Sequence, residues 1–448
     1  MSNDINGEKT VLVIFGITGD LAQRKLLPAL RHIAQAGLPL PSQIIGISRR
    51  AVEAADLLRQ TFGEQYDTHA QAIEQRLTVF TMDLAQITDY LRLKDSIAVA
   101  CGDQPPAQII FYLSVPPQAS LPIVEHFGEA GLNDERVKLL LEKPFGVDLA
   151  SAEDTVTSIS RYYGENQLYR IDHYLAKEMA QNIVAFRSYN AIFKHLWHRD
   201  FIEKIDIIAS EKIGIEGRTG FYEQTGALRD FLQNHLMQLM ALTLMDIPAD
   251  FKVEDTPALR LQALRSIAPI HEADFASNVM RAQYEGYAAE VANPGTQTET
   301  FVRVTLFSED PRWEGVPIRL ATGKNLAEQT TEIRVYFKKA HEAEANLLVL
   351  HMQPKEGIEV ALWAKKPGYD KEYEAVNLQF DYKQTSGRSV EAYERVLVDA
   401  FASDKSLFTA AEEVLCSWRI LQPIQSRWAM DSGPIKTYTP GSAIESLF

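Results

Sequence analysis

An apolar run that ends in a glycine-containing turn lies near the start of the chain: Val11-Leu12-Val13-Ile14-Phe15-Gly16-Ile17-Thr18-Gly19-Asp20-Leu21. The apolar run predicts a buried strand, and the spacing of apolar residues over 21–36 predicts the helix that follows it. Glycines at this junction permit a tight turn and let backbone N–H groups approach an anion at the helix N-terminus. The arrangement favours a dinucleotide-binding domain, although glycines between a strand and a helix also serve ordinary packing.

The rest of the first third alternates short apolar runs with amphipathic segments, which is typical of a parallel α/β sheet. Its predicted strands are Val11–Phe15, Gln43–Ile47, Gln108–Leu113, Val137–Leu141 and Gln167–Ile171. Beyond residue 172 the strand-like segments recur with few helices between them: Lys204–Ser210, Thr300–Phe307, Glu332–Phe337, Leu347–Met352 and Ala375–Phe380. We expect helices at Gly226–Met245 and Val390–Phe401 to cover one face of this second sheet.

These patterns predict two domains. Residues 1–171 would form an α/β Rossmann-type dinucleotide-binding domain. Residues 172–448 would form an α+β domain with a large, mainly antiparallel sheet that binds the substrate and forms the oligomer.

Composition excludes several classes of function. The 448 residues are 46% hydrophobic and 23% charged, and no stretch approaches the roughly 18 apolar residues of a membrane span. The net charge of −15 argues against nucleic acid or membrane surfaces as partners, because both are polyanions. The two cysteines, Cys101 and Cys416, are too far apart in sequence to indicate a disulfide framework or a cysteine zinc site. We expect a cytoplasmic enzyme without a metal centre.

The end of the second predicted strand helps to choose the cofactor. NAD sites tend to place an Asp or Glu there, which accepts hydrogen bonds from the ribose hydroxyls. This chain instead has Ser48, Arg49 and Arg50. A hydroxyl and two guanidiniums suit a 2′-phosphate, so the pattern favours NADP. The alternative is a solvated pair of surface arginines.

One further segment resembles the signature of the glucose-6-phosphate dehydrogenase family, R-I-D-H-Y-L-G-K-E, with alanine in place of the glycine: Arg170-Ile171-Asp172-His173-Tyr174-Leu175-Ala176-Lys177-Glu178. Other segments are similar to the family in the same order along almost the whole chain: Gly16–Leu30, Phe111–Pro117, Glu142–Gly146, Glu216–Arg218, Gly226–His235, Lys365–Gly368 and Ala392–Arg395. The resemblance implies oxidation of D-glucose 6-phosphate at C1 to 6-phosphoglucono-1,5-lactone with NADP, the first step of the oxidative pentose phosphate pathway. It also implies a homodimer or homotetramer.

The resemblance implies a role for each matching residue. His235 would be the catalytic base, and Asp172 would orient it and stabilise its charged form. The residues implied in cofactor binding are Gly16, Thr18, Gly19, Asp20, Leu21, Ser48, Arg49, Tyr112 and Lys143. The residues implied in substrate binding are Lys143, His173, Tyr174, Lys177, Glu211, Asp230 and Lys324.

The chemistry of His235 agrees with that role. Oxidising a hemiacetal carbon needs a base for the hydroxyl proton, and an imidazole with a pKa of about 6.5 suits this work near neutral pH. His235 lies in an otherwise apolar predicted helix that Gln233 and Asn234 also interrupt. Burying such groups without partners costs a few kcal/mol, so they indicate a polar cavity. The alternative is a hydrogen-bonded histidine of the core.

The phosphate end of the site differs from the family. His173 and Lys177 would share a face if the segment after Asp172 were helical. Gln329 stands where the family commonly has a second basic residue, so phosphate binding would weaken unless another residue such as Arg334 compensates.

Three other functions are alternatives. A related dehydrogenase could act on another sugar phosphate. A second sugar-oxidoreductase family also combines a Rossmann domain with a Glu-Lys-Pro segment, but its usual Asp-x-x-x-His pairing is not evident here. A non-catalytic regulatory paralogue would be expected to have lost His235 or Asp172, and both are present.

Overall fold

The structure is a computed structural model that describes residues 10–101, 106–340, 345–382, 388–431 and 433–448. It divides into two compact units. Unit 1 comprises Met1–Ala176, Val253–Pro257 and Val390–Val414, and unit 2 comprises Lys177–Lys252, Ala258–Ser389 and Leu415–Phe448. The first division along the chain thus follows residue 176 rather than residue 171. Among the described residues, no helix has the length and apolar character needed to cross a membrane.

Unit 1 is built on a seven-stranded sheet. Its strands are β1 (Thr10–Phe15), β2 (Gln43–Ser48), β3 (Leu77–Thr81), β4 (Gln108–Leu113), β5 (Val137–Leu141), β6 (Leu168–Ile171) and β15 (Phe408–Thr409). Their order is β15-β6-β5-β4-β1-β2-β3, and all neighbours are parallel except β15 and β6. The strand order reverses at β1, and ligands of open α/β sheets bind at such a reversal, beyond the carboxyl ends of the strands. The predicted Rossmann-type domain is confirmed.

Helices cover both faces of this sheet. They are α1 (Leu27–Gln35), α2 (Ala54–Phe62), α3 (Thr68–Glu74), α4 (Ile87–Cys101), α5 (Pro117–Glu129), α6 (Leu149–Ser160) and α14 (Ala392–Ala402). Alternate residues of β1 enter two separate cores: Leu12 and Ile14 lie in one, and Val11, Val13 and Phe15 in the other. A parallel strand buried on both faces needs apolar side chains throughout, which explains the unbroken apolar run of β1.

Helix α14 corrects one expectation. The sequence pattern placed residues 390–401 on the antiparallel sheet, but Val396, Leu397 and Phe401 pack in the same core as Leu12 of β1. Strands β4 and β5 also bond to this helix, because Gln108 donates to the Phe401 carbonyl at 2.8 Å and Lys138 to the Ala400 carbonyl at 2.9 Å. An amphipathic pattern shows that a helix covers a sheet but not which sheet it covers.

Unit 2 is built on a nine-stranded sheet. Its strands are β7 (Ile202–Ser210), β8 (Val279–Tyr284), β9 (Phe301–Leu306), β10 (Ile318–Gly323), β11 (Thr330–Phe337), β12 (Leu347–Gln353), β13 (Gly357–Lys365), β14 (Tyr373–Asp381) and β16 (Lys436–Tyr438). Their order is β14-β13-β12-β11-β7-β10-β9-β8-β16. Only β10 with β7 and β16 with β8 pair in parallel among these strands, so the predicted mainly antiparallel sheet is confirmed.

The remaining helices connect or cover these strands. They are α7 (Glu178–Tyr189), α8 (Ala191–Leu196), α9 (Thr219–Ala227), α10 (Met237–Leu244), α11 (Thr256–Arg265), α12 (Phe275–Asn278), α13 (Tyr287–Glu290) and α15 (Ala411–Met430). Two π-helical segments, Ala22–Leu26 and Leu228–Leu236, interrupt the helices predicted over 21–36 and 226–245. Short 3-10 helices complete the secondary structure at Gly63–Gln65, Glu165–Gln167, Val253–Asp255, Glu272–Asp274 and Ile444–Leu447.

Candidate active site

The turn after β1 has a conformation that glycine adopts most easily. Gly16 has a φ of +78°, and a Cβ atom there would lie 2.3 Å from the carbonyl oxygen of Ser114. Gly19 donates its N–H to the Gly16 carbonyl at 2.8 Å, which closes the turn. In β2, Gly46 leaves room for Ile17, which lies 2.7 Å from where a Cβ would be. Bare backbone therefore lines the carboxyl end of β1.

The helix after this turn begins in a way that suits an anion. The helix begins at Asp20 directly after the turn, passes through the π-helical segment Ala22–Leu26 and continues as α1, and the Gln23 N–H already donates to the Gly19 carbonyl at 3.1 Å. The first N–H groups of a helix have no intrahelical acceptors and carry partial positive charge. The carboxylate of Asp20 is paired with Arg24 at 2.6 Å. A dinucleotide pyrophosphate fits this combination of backbone donors and missing side chains.

The end of β2 presents two positive charges. Ser48 is buried, and its hydroxyl accepts a hydrogen bond from the Arg50 N–H at 3.2 Å. Arg49 and Arg50 are exposed, and neither guanidinium has an ion-pair partner in the described part of the chain. A 2′-phosphate fits two guanidiniums that no carboxylate neutralises.

Strands β4 and β5 end side by side, with Leu113 paired to Leu141, and bring Tyr112 close to Glu142. Tyr112 is fully buried, and its hydroxyl donates to the Glu142 carboxylate at 2.5 Å. Part of Glu142 remains exposed, but its carboxyl group is enclosed, and this burial raises its pKa to about 7. Lys143 follows directly and is half-buried. Because the Tyr112 side chain is buried and its hydroxyl is already bonded to Glu142, only its backbone could contact a cofactor.

The segment after β6 is a turn and not a helix. Asp172 is buried, and its carboxylate accepts the Tyr174 N–H at 2.9 Å while its carbonyl accepts the Leu175 N–H at 3.0 Å. Tyr174 is buried, and the half-buried ring of His173 lies nearly parallel to that of Tyr393, with 6.3 Å between the centroids. Helix α7 begins only at Glu178, so the condition under which His173 and Lys177 would share a helical face is not met.

Lys177 contacts the end of β12 in unit 2. Its ammonium donates to the side-chain carbonyl of Gln353. The amide of Gln353 in turn donates to the Thr331 hydroxyl at 3.1 Å, which fixes its orientation. Sequence reasoning missed Gln353, because a single amide at a strand end gives no signal beyond the strand itself.

A buried carboxylate holds the start of the second π-helix. Glu299 accepts the Leu228 N–H at 2.8 Å. Gly226 has a φ of +66°, and a Cβ there would lie 2.5 Å from the same carboxylate. Burial raises the pKa of Glu299. The helix therefore starts at a fixed position, and sequence reasoning missed Glu299 because it lies 71 residues from Leu228.

His235 lies in the last turn of this π-helix, a type of irregularity that often occurs at functional sites. The residue is only 1% exposed. Its ring meets the ring of Phe231 edge-on, with 5.0 Å between the centroids, and its backbone N–H donates to the Asn234 side chain at 2.7 Å. The imidazole is therefore held away from bulk water.

Three of the predicted substrate residues come together in unit 2. Glu211 and Lys324 follow the paired ends of β7 and β10, where Ser210 is opposite Gly323. The Lys324 ammonium donates to the Glu211 carboxylate and lies 4.0 Å from the carboxylate of Asp230. Lys324 is only 2% exposed. The cluster offers carboxylate acceptors and an ammonium donor to a polyhydroxylated ligand.

Arg334, which could have compensated for Gln329, is already paired with carboxylates of the protein. Its guanidinium pairs with Glu332 at 2.5 Å and with Glu445 at 2.7 Å, and these carboxylates raise its pKa. Its charge is already neutralised within the protein. Gln329 is exposed and neutral.

The fold and these residues define the class of protein. A glycine turn at the first strand of a parallel sheet binds the pyrophosphate of a dinucleotide. The second unit adds a cluster of one buried lysine and two half-buried carboxylates suited to hydroxyl groups. This combination is that of a dehydrogenase that uses a nicotinamide dinucleotide and has a separate substrate domain.

Comparison with known proteins identifies the family. Residues 13–182 match the family described as glucose-6-phosphate dehydrogenase, NAD binding domain, and residues 184–445 match glucose-6-phosphate dehydrogenase, C-terminal domain. The chain belongs to the glucose-6-phosphate dehydrogenase family, and the resemblance seen in the sequence is confirmed.

Individual relatives match over nearly their full length. The glucose-6-phosphate 1-dehydrogenase of Chlamydia pneumoniae is 36% identical, with 97% of this chain and 92% of the relative covered. That of Chlamydia muridarum is 34% identical, with 96% and 93% covered. A solved structure of glucose-6-phosphate dehydrogenase in complex with its substrate glucose 6-phosphate has a TM-score of 0.90 and 29% identity, covering 97% of this chain and 95% of that one.

Proposed function

We propose that the chain oxidises D-glucose 6-phosphate at C1 to 6-phosphoglucono-1,5-lactone with NADP, the first step of the oxidative pentose phosphate pathway. The observation that carries the proposal is membership of the family over both of its domains. The residues agree with it, since Lys324, Glu211 and Asp230 form a cluster suited to sugar hydroxyls.

The residues around the glycine turn fit NADP, which supplies the hydride acceptor when it is bound. Backbone N–H groups of the turn would hold the pyrophosphate, and Ser48 and Arg49 the 2′-phosphate. Tyr112 would contribute through its backbone, and Lys143 would contact both cofactor and substrate. The proposed cofactor residues are Gly16, Thr18, Gly19, Asp20, Leu21, Ser48, Arg49, Tyr112 and Lys143.

We propose that His235 removes the proton of the C1 hydroxyl and that Asp172 orients the imidazole and stabilises its charged form. Both residues are buried, which strengthens such an interaction relative to water. The contact between His235 and Phe231 restricts rotation of the imidazole. The roles of both residues rest on their match to the family motifs.

The substrate would be held at both ends. His173, Tyr174 and Lys177 supply donors for the phosphate. Glu211 and Asp230 would accept hydrogen bonds from the sugar hydroxyls, and Lys324 would donate one. Gln353 holds the Lys177 ammonium by its side-chain carbonyl, which supports the assignment of Lys177 to a fixed position.

We propose that the two predicted domains have different functions. Residues 1–171 would bind NADP, and residues 172–448 would bind the substrate and form the oligomer. We also propose a cytoplasmic location, because two cysteines in 448 residues suit a protein that does not rely on disulfides.

We propose that the chain forms a homodimer or homotetramer through the outer strands of unit 2. Strands β13 and β14 pair so that apolar side chains share one face: Ile358 with Phe380, Val360 with Leu378, and Leu362 with Val376. Four of these side chains are exposed, including Leu378 at 58% and Phe380 at 44%. An apolar sheet face of this kind marks an interaction surface, and a second copy could cover it by twofold symmetry.

The first experiment is to follow reduced-nicotinamide absorbance with the purified protein. The pairs to compare are NADP with NAD, and glucose 6-phosphate with glucose and other hexose 6-phosphates. Rapid NADP reduction with glucose 6-phosphate alone is the expected result. Activity with a different hexose phosphate only would reassign the substrate, and no activity with any sugar would favour the regulatory paralogue.

A further inference from the structure

A cavity in unit 2 gathers positive charge in an acidic protein. It has a volume of about 740 Å³ and lies beside β8, β9, β16 and the end of α15. Four cationic side chains line it, namely Arg281, Arg303, Arg427 and Lys436, and the one carboxylate that lines it among the described residues is Asp431. The chain as a whole has a net charge of −15, so this concentration of cations is unusual for the molecule.

Two of the four cations are neutralised by the protein itself. Arg281 pairs with Asp431 at 3.2 Å and lies over the Trp428 ring at 5.2 Å. Arg427 pairs with Glu272 and lies over the Phe275 ring at 5.5 Å. The rings of Trp428 and Phe275 give the cavity flat, apolar walls, and the arginines beside them are neutralised by their carboxylate partners.

Arg303 has no ion-pair partner among the residues that the structure describes. Its Nε is buried and has no hydrogen-bond partner among the described residues, and its Nη2 donates only to the neutral carbonyl of Ser277 at 3.0 Å. Burial and the nearby charge of Arg319 lower its pKa. Arg303 is partly buried, and a partly buried charge with no carboxylate beside it in the described part of the chain is unfavourable, so an anion in the cavity would offset that cost.

Lys436 supplies the second uncompensated charge. It is exposed at the start of β16 and has no ion-pair partner in the described part of the chain. Arg303 and Lys436 together leave about two positive charges facing the cavity. A phosphomonoester carries about −1.5 to −2 at pH 7 and has three strong acceptor oxygens, so it matches this charge.

A neighbouring cavity of about 420 Å³ provides a contrast. It shares Arg281 and Trp428 with the first but is also lined by Glu223 and Glu299. Its arginines therefore face carboxylates of the protein. Uncompensated positive charge is a property of the larger cavity.

We propose that the larger cavity binds a phosphorylated small molecule, with the phosphoryl group held by Arg303 and Lys436 and the remainder lying against Trp428 and Phe275. None of these residues belongs to the proposed substrate or cofactor sites, so the inference goes beyond the proposed function. The shared chemistry that defines the ligand is a phosphoryl dianion attached to a group that can contact an aromatic wall.

The experiment is a titration of the full-length protein with inorganic pyrophosphate at fixed ionic strength, followed by tryptophan fluorescence. We expect a saturable change that the Trp428→Phe variant removes. Arg303→Gln should weaken binding about tenfold or more, and Lys436→Gln about threefold, since each removes a charged hydrogen bond. Arg59→Gln, which removes an exposed cation of unit 1, is the matched control and should bind as the wild type does.

Two results would overturn the proposal. One is the absence of saturation up to about 10 mM pyrophosphate. The other is a loss of binding in the wrong variant. If Arg59→Gln also weakened binding, the probe would be binding to general surface charge. If Arg49→Gln weakened binding and Arg303→Gln did not, the probe would be binding at the glycine turn. Lys436 is exposed, so its variant tests the site even if Arg303→Gln does not fold. Neither variant should change the KM for glucose 6-phosphate.

Discussion

Substituting Gly226 by alanine should destabilise the protein strongly through a contact with Glu299. Gly226 has a φ of +66° and a ψ of 173°, a combination that essentially only glycine adopts, so an alanine there costs about 1–3 kcal/mol in backbone strain. The new Cβ would also lie 2.5 Å from one oxygen of the Glu299 carboxylate and 2.8 Å from the other, so that group must move. Moving it breaks its bond with the Leu228 N–H, and a hydrogen bond to a charged group contributes about 1.5–3 kcal/mol. The expected loss is therefore about 2.5–6 kcal/mol in the free energy of unfolding.

The assay is urea denaturation followed by far-ultraviolet circular dichroism, together with the turnover number. Gly220→Ala is the matched control in the same helix, α9, since Gly220 has no neighbour within 4 Å of an added Cβ. It should be neutral or stabilise the protein by up to about 1 kcal/mol through helix propensity. Turnover of Gly226→Ala should fall as well, because the displaced helix carries Asp230 and His235.

The reasoning would be refuted if Gly226→Ala unfolded within about 1 kcal/mol of the wild type and kept its turnover number. A double-mutant cycle with Glu299→Ala separates the two causes. Without the carboxylate the contact disappears, and Gly226→Ala should then cost only the backbone strain of about 1–3 kcal/mol. An undiminished cost in that background would show that Glu299 is not responsible.

Four further results are expected. His235→Asn should lower kcat by about 10²–10⁴-fold with little change in KM, and near-wild-type turnover in steady-state assays would remove it as the base. Lys177→Thr should raise the KM for glucose 6-phosphate about tenfold or more, and an unchanged KM would exclude it from the phosphate site. Arg49→Ala should lower the preference in kcat/KM for NADP over NAD by about tenfold, and a constant ratio would count against its contact with the 2′-phosphate. Glu142 titrates near 7 in the fold and near 4.5 when unfolded, so stability should fall as the pH rises between these values. Glu142→Gln should remove this slope in urea denaturation, and an identical pH profile would contradict the raised pKa.

The parallel sheet of unit 1 could be predicted because its central strands are covered on both faces. Thr10–Phe15 and Gln108–Leu113 are buried throughout, and after one polar residue each continues as an unbroken apolar run. The sequence pattern did not predict strand β3 (Leu77–Thr81). This strand lies at the edge of the sheet, and only its Leu77 is buried. The pattern of burial, rather than intrinsic propensity, made the difference.

Strands of unit 2 were predicted less completely, and β8, β10, β13 and β16 were missed. In β10 the run Ile318-Arg319-Leu320 ends in Ala-Thr-Gly, which gives little strand signal. Its parallel pairing with β7 joins residues more than 100 positions apart, which no local pattern can reveal. That pairing is what brings Lys324 beside Glu211, so the cluster followed from the family resemblance and not from the residues alone.

The return of residues 390–414 to unit 1 has a consequence for the order of events during synthesis. The ribosome completes the strands β1–β6 long before it adds Val396, Leu397, Phe401 and Phe408, which fill one of their two cores. Until then one face of the nascent sheet lacks part of its cover, and the amide of Gln108 lacks its carbonyl acceptor on Phe401. By the time those residues emerge, the chain as far as β14 has already been made. Synthesis of the nucleotide-binding unit therefore begins first, but its core is completed only near the end of synthesis. A nascent chain arrested before residue 390 would expose apolar surface to chaperones.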